Sequence, residues 1–434
     1  MRSPRFFFFL LLSLSALSGM AFSTVKFKFD RSTVYPFTER EIIVTVPDSF
    51  SFDHPAAVYV GLDGILCNAP QVIDSLTAAG KIPPTVGIFI QPGVARNSEG
   101  KVIRYNRSNE FDLTDGRFAE FLEKDILPAV NGMELKDGRV VRLSDNPDDR
   151  MIFGLSSGGI AAFNVAWTRP DLFRRVFSGC GTFVPMRGGN DLQAVVRKTE
   201  PKPLRIFLQD GFSDTWNPLF GSWYEANRIL ASALEFAGYD CGFDWAEGGH
   251  SVRRASEIFS DVMVWIWRGY PAPLSVGKTS NDLLEPLLKG DSGWIADSGI
   301  SVDVTDTAVY PDSSLCAVRT ENSDNLTQYL IDSAGNRYAG REFYWLHSPE
   351  NRLLKLGGMA FDGNGNLWTI TSSGIQICDQ NGRVRGILSL PYGTDAQLCG
   401  IEVNDGEIRI SGFKRKLNVK ATEKGVRPDS QGQG

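Results

Sequence analysis

The sequence predicts an α/β fold, a largely parallel sheet with helices on both faces, followed by a smaller all-β region. Three observations carry this reading. Continuous apolar runs alternate with helix-period segments from about residue 56 to about residue 267. A Gly-x-Ser-x-Gly stretch, Gly154 to Gly158, lies where one such run meets one such segment. From about Pro271 onward, short strand-like runs are separated by Asn-Gly and Gly-Asn turns, and long helical patterns stop after Leu288.

Composition bounds the problem first. The chain has 434 residues, 42% hydrophobic and 22% charged, an ordinary globular balance with material for two or three domains. Lys and Arg total 45 against 51 Asp and Glu, a net charge of −6 with no dominant basic run, which excludes nucleic acid as a partner. Arg2 and Arg5 precede the apolar run Phe6 to Leu17, and small residues follow at Gly19, Ala21 and Ser23. That order predicts a secretory signal peptide over 1–21 and a secreted or periplasmic protein. The run is too short to span a bilayer comfortably, and no later stretch predicts stable membrane insertion. The six cysteines resemble neither a dense disulfide framework nor a close-spaced metal site, and most read as small buried residues. Neither a metal nor a cofactor is expected.

The elements follow in order. Val25 to Phe29 and Glu41 to Val46 alternate apolar and polar residues and predict two antiparallel edge strands. Ala56 to Leu62, Val86 to Ile90, Met151 to Phe153, Val176-Phe177 and Leu204 to Leu208 are continuous apolar runs, as strands covered on both faces should be. Helices are expected over Pro70 to Ala79, and from Asp115 with Phe118, Phe121, Leu122 and Ile126 on one face and Pro128 closing it. Further helices should run from the serine stretch to Trp167, from Trp223 to Ala237 with Ser222 as cap and Gly238 as stop, and from Val252 to Trp267. The organisation predicted is an α/β domain over 24–271, a β region over 275–424 and a disordered tail over 425–434.

The chemistry starts at Ser156. An apolar strand entering Gly154-Leu155-Ser156-Ser157-Gly158, with a small-residue helix after it, is the pattern of a nucleophile held on a sharp strand-to-helix turn. Such a serine needs a base and a carboxylate that orients the base. The chain has three histidines, His54, His250 and His347, and only His250 lies in a loop after a late strand-like run, where open α/β sheets bind ligands. The acid should lie between serine and histidine, and Gln209 to Asp214 offers Asp210 and Asp214, of which Asp214 sits deeper in its loop. An oxyanion hole is expected from the backbone N–H groups of Ser157 and Gly64.

Arg150 to Gly159, Asp210 to Asp214 and Gly248-Gly249-His250 resemble the esterase D branch of α/β-hydrolases, which includes enterochelin, feruloyl and acetyl-xylan esterases and mycolyltransferases. Asn106 to Asp112 is similar to the stretch before the long helix of enterochelin-esterase-like proteins. The resemblance covers about residues 25–270 and implies Ser156 as nucleophile, Asp214 as acid and His250 as base. Downstream, Arg341 to His347, Gly358 to Asp362 and Gly374 to Asp379 resemble the end of a gluconolactonase (senescence-marker-protein-like) β-propeller. A whole six-bladed propeller at about 40 residues a blade needs about 240, whereas about 160 remain. Where that family has Asp-Gly-Met this chain has Gly357-Gly358-Met359, and near Thr305 the expected Asn-Gly is missing, so the resemblance implies a region without the family's metal ligands.

The function expected is a secreted serine carboxylester hydrolase acting on small-molecule or glycan esters, carbohydrate-linked (feruloyl or acetyl) or siderophore-derived. Trp216 and Trp223 are candidates to line the acyl or sugar site. The alternatives are a glycan-binding or structural protein with a vestigial esterase, and an acyltransferase using the same triad.

Overall fold

The alternation of apolar runs and helix-period segments becomes a single eight-stranded sheet in a computed structural model that describes residues 22–320, 323–348 and 354–421. The expected leader and tail lie outside the described residues. The strands are β1 (Phe22–Phe29), β2 (Arg40–Pro47), β3 (Ala57–Leu62), β4 (Thr85–Ile90), β5 (Arg150–Leu155), β6 (Arg175–Gly179), β7 (Arg205–Gly211) and β8 (Asp240–Ala246). Their order is β1-β2-β4-β3-β5-β6-β7-β8. β1 and β2 form the antiparallel edge pair, β2 runs antiparallel to β4, and all later pairings are parallel.

Every residue of β3, β4, β5 and β6 is buried, so apolar residues occupy both faces rather than alternating, with polar side chains confined to Thr85, Arg150, Arg175 and Ser178. Successive side chains still go to opposite faces. Val58, Val60, Leu62 and Ile152 join one core, with the helices α2 (Ser157–Thr168), α3 (Leu192–Lys198) and α4 (Trp223–Phe236) packed over it. Tyr59, Met151, Phe153 and Phe177 join the other, under α1 (Ala69–Ala78) and α5 (Val252–Trp267). α2 is buried from Ser157 to Trp167, which explains its small and apolar residues on all sides. α4 starts as expected, with the Ser222 hydroxyl accepting the Glu225 N–H at 3.3 Å.

One expected helix end is corrected. Pro128 does not close its helix, which runs on through Leu127–Val130. A π-turn over Leu122–Ile126 precedes it, and Pro128 falls at the start of the next turn, where its missing N–H costs little.

After α5 the described residues form three four-stranded antiparallel sheets. One comprises Thr307–Val309, Leu315–Arg319, Asn325–Ile331 and Arg337–Trp345; a second, Leu356–Phe361, Leu367–Thr371, Gly374–Cys378 and Val384–Leu388. The third orders Ile295–Ala296, Phe413–Lys416, Glu407–Ile410 and Ile401–Asn404. Their turns repeat one device. Asp332, Asp362 and Asp379 each accept backbone N–H groups from two and four residues on, with Gly335, Gly365 and Gly382 between. At Gly365, φ is +77°, a conformation that side chains resist. The β region meets the α/β part through buried charge: Arg415 forks onto Glu200, Ser389 N–H donates to the same carboxylate, and Lys198 Nζ lies 2.8 Å from His347 Nε2. Among the described residues no helix is long and apolar enough to cross a membrane.

Candidate active site

The loops at the C-terminal ends of β3, β5, β6, β7 and β8 converge on Ser156. It sits between β5 and α2 at φ +58°, ψ −122°, outside the usual regions for a side-chain-bearing residue. Such a conformation costs about 1–3 kcal/mol and persists only where the surroundings enforce it. Here Ser156 N–H donates to Gly179 O at 3.0 Å, and its carbonyl accepts from Gly159, Ile160 and Thr182 N–H groups. The flanking glycine is a steric requirement. A Cβ on Gly154 would lie 2.2 Å from Gly158 O, so strand and helix approach this closely only without one.

His250, in the loop after β8, places Nε2 2.8 Å from Ser156 Oγ and Nδ1 2.7 Å from Asp214 Oδ1. The structure therefore brings the three sequence-predicted residues into one hydrogen-bonded chain, with the serine hydroxyl donating to Nε2 and Nδ1–H to the carboxylate. The Asp214 side chain is fully buried, whereas His250 remains 30% exposed and open to a substrate. Trp223 stands edge-on to the imidazole at 6.2 Å and donates its indole N–H to Thr182 Oγ1, which is itself 3.4 Å from Ser156 Oγ.

Asp210, next to last in β7, is completely buried. Burial first, then the neighbouring Asp214 carboxyl, pushes its carboxyl up to about 9. Burial alone would also raise Asp214, but hydrogen bonds from His250, Asp210 and the Thr215 N–H outweigh it and hold that carboxyl below its usual range. The Cys180 thiol is pushed up to about 12 by burial and by the charges of Asp214 and Asp210. Cys180, Asp214 and His250 bring metal-type donor atoms within 4.8 Å of one another. Because His250 and Asp214 are engaged with each other and the thiol is held protonated, the cluster is a poor cation site.

The oxyanion expectation changes by one residue. Gly64 N–H donates to Ile90 O at 3.1 Å and is not free for a substrate. Gly64 is held at φ +81°, a turn that leaves the next amide, Ile65, without a backbone acceptor among the described residues. Ser157 N–H, in the first turn of α2, likewise has none, as helix starts leave their first donors open. The Ile65 loop is pinned by Arg107, whose guanidinium forks onto Asp63 at 2.7 and 2.8 Å and lies against Leu155 O. Ser156 Oγ, the His250 imidazole and the unclaimed Ser157 and Ile65 amides thus lie on loops that meet at the C-terminal edge of the sheet.

The remaining candidates fall elsewhere. His54 packs against Phe50, and His347 lies in the β region at its contact with the α/β part. Trp223 is buried at the wall of the site, while Trp216, in the hairpin Trp216-Asn217/Gly221-Ser222 beyond Asp214, is 69% exposed. All six cysteines are unpaired, and five are buried. Thr182 and Asp63 have no distinguishing sequence signal, because their roles come from contacts between distant loops, and Arg107 stood out only as part of the Asn106 to Asp112 stretch.

The model of the family Esterase, described as "Putative esterase", matches residues 35–269, more than half of the chain. No curated protein matches. Similar solved structures include a ferulic acid esterase (19% identity, 58% of this chain and 99% of that one, TM-score 0.43). The enterobactin esterase FES from Shigella flexneri is another (21% identity, 56% of this chain and 59% of that one, TM-score 0.42). A feruloyl esterase module from Clostridium thermocellum is a third (12% identity, 58% and 90%, TM-score 0.42). The chain thus spans about three fifths of the length of the enterobactin esterase.

Proposed function

We propose, for a chain that belongs to the Esterase family and is a carboxylester hydrolase, that the reaction runs through Ser156, His250 and Asp214. The observation that carries this is the continuous chain of 2.8 and 2.7 Å contacts from Ser156 Oγ through His250 to Asp214. His250 takes the serine proton as Oγ attacks the acyl carbon, and Asp214 steadies the imidazolium that forms. The negative charge developing on the carbonyl oxygen is received by the Ser157 and Ile65 N–H groups. His250 then returns its proton to the leaving alcohol, and water attacks the acyl-enzyme with the same base.

The substrates we propose are carbohydrate-linked esters, feruloyl or acetyl, with siderophore esters second. Two features support this: an export-type leader in the sequence, and aromatic residues around the triad, Trp223 in the wall of the site and the exposed Phe212 and Trp216 on either side of Asp214 in the chain. Organisation into an α/β domain over 24–271 and a shortened propeller-like region over 275–424 is part of the same reading, supported by the three four-stranded sheets of the second part. Hydrolysis of p-nitrophenyl acetate and of feruloyl and acetyl sugars by the wild type and by Ser156→Ala tests it. The variant should be inactive on all three. Equal rates would overturn the assignment.

A further inference from the structure

The proposed mechanism uses one carboxyl group, but two lie side by side in the same pocket. Asp210 and Asp214 are within hydrogen-bonding reach of each other. Asp214 Oδ1 is used twice, by His250 Nδ1 and by Thr215 N–H. Its other oxygen, Oδ2, is buried and receives no N–H or hydroxyl among the described residues. Asp210 accepts the Gly211 N–H at 2.7 Å on one oxygen and the Asn227 side-chain amide at 2.9 Å on the other, and among the described residues no cation touches it. Around the pair, the loop after β6 contributes the protonated Cys180 thiol, the loop after β8 contributes His250, and α4 contributes the neutral Asn227 and Trp223. Arg107, across the elbow, is committed to Asp63. Two adjacent buried carboxylates with one histidine between them and the substrate cannot both be ionised. The charge belongs on Asp214, which has His250 as its partner, and the proton belongs on Asp210, which has no cationic partner among the described residues.

We propose that Asp210 is a positioning residue: a neutral carboxylic acid that donates its proton to Asp214 Oδ2 and thereby fixes Asp214 Oδ1 on His250 Nδ1. It never touches substrate and keeps its proton through the cycle. Without that donor, Asp214 is free to rotate about its side chain and present either oxygen, and the imidazole loses its fixed orientation. When Asp210 ionises, two like charges face each other and the same rotation follows. The inference rests on the reading of Ser156, His250 and Asp214 given above.

Asparagine is the informative replacement, because its amide can donate to Asp214 Oδ2 but cannot ionise. It is tolerated locally: the two Asn227 amide hydrogens retain Gly181 O at 2.8 Å and Trp223 O at 3.0 Å. Asp210→Asn and Asp210→Ala are compared with wild type on p-nitrophenyl acetate across pH, with Ser156→Ala in the same assay. Asp210→Asn should keep kcat within about threefold, whereas Asp210→Ala should lose on the order of 30-fold in kcat with little change in KM, the effect of a displaced base. The wild-type kcat should fall on the alkaline side as the pH passes about 9, and Asp210→Asn should lack that fall. Infrared spectra at neutral pH should contain the carbonyl band of a protonated carboxylic acid in wild type and lack it in Asp210→Asn, a readout that stands even if Asp210→Ala does not fold. An Asp210→Asn variant as impaired as wild type at high pH, an alkaline fall shared by both proteins, or a wild type without the infrared band would overturn the proposal. If those failures accompany an inactive Ser156→Ala, this inference alone is wrong. If Ser156→Ala keeps wild-type turnover, the underlying reading falls and takes this one with it.

Discussion

Replacing Gly154 with alanine tests how tightly the elbow is built. The new Cβ would lie 2.2 Å from Gly158 O and 2.3 Å from Gly158 C, both backbone atoms of α2's first turn. Real Cβ atoms essentially never approach closer than 3.0 Å, so strand and helix must separate by roughly 0.8 Å. Ser156 lies between the two contact points and its Oγ is 2.8 Å from His250 Nε2, so the separation is passed to the reacting atom. A misplacement of about 1 Å costs about 10²-fold in rate, or about 2.7 kcal/mol of transition-state stabilisation. Overpacking of this kind also destabilises by about 1–3 kcal/mol. Steady-state kinetics on p-nitrophenyl acetate should show kcat down about a hundredfold with KM little changed, and thermal unfolding should show a lower midpoint. A variant with wild-type kcat would refute the claim that the glycine sets the position of Ser156.

Three other outcomes follow from the same contacts. Asp214→Asn keeps the shape of the acid but cannot stabilise the imidazolium, so kcat should fall by about 10⁴ with KM little changed; a loss below about tenfold would contradict the role of Asp214. Arg107→Ala frees the Asp63 loop and the Ile65 amide beside it, and kcat should drop about 10- to 100-fold, whereas an unchanged kcat would show that the loop holds itself. Burial first, then Lys198, pulls His347 from 6.5 down to about 4. Because its folded value is the lower one, its contribution to stability is present above pH 6.5 and is lost as pH falls through about 4. The thermal midpoint of wild type should therefore drop more over that interval than that of His347→Gln, and parallel curves would rule the contact out as the cause.

The α/β sheet was legible because its central strands are buried on both faces and so carry uninterrupted apolar runs, while the helices between them repeat at their own period. Ser156, Asp214 and His250 were legible as a set because the turn at Ser156 demands glycine at fixed offsets and the chain order of the loops follows the sheet. What was not legible depends on distances between loops. Gly64 announced a turn, but which amide that turn frees is decided by Ile90 O on a neighbouring strand. Pro128 marks a helix end by propensity, and the π-turn before it removes the conflict. Asp210 read only as the shallower of two candidate acids, since nothing in the sequence shows that its carboxyl stands against that of Asp214. The β region announced its hairpins through Asp and Gly turns, while the buried Glu200 and Arg415 that join it to the α/β part are separated by 215 residues in the chain.

The central claim is that the hydrolytic chemistry runs through one serine, and it can be read directly. A p-nitrophenyl alkylphosphonate transfers its phosphonyl group to an activated serine with release of p-nitrophenolate, and leaves the serine covalently marked. Peptide mass spectrometry of the inactivated wild type should place one adduct on Ser156, with loss of activity proportional to labelling, and Ser156→Ala should take up none. Complete inactivation with Ser156 unmodified, or full esterase activity in a protein fully labelled there, would contradict the account.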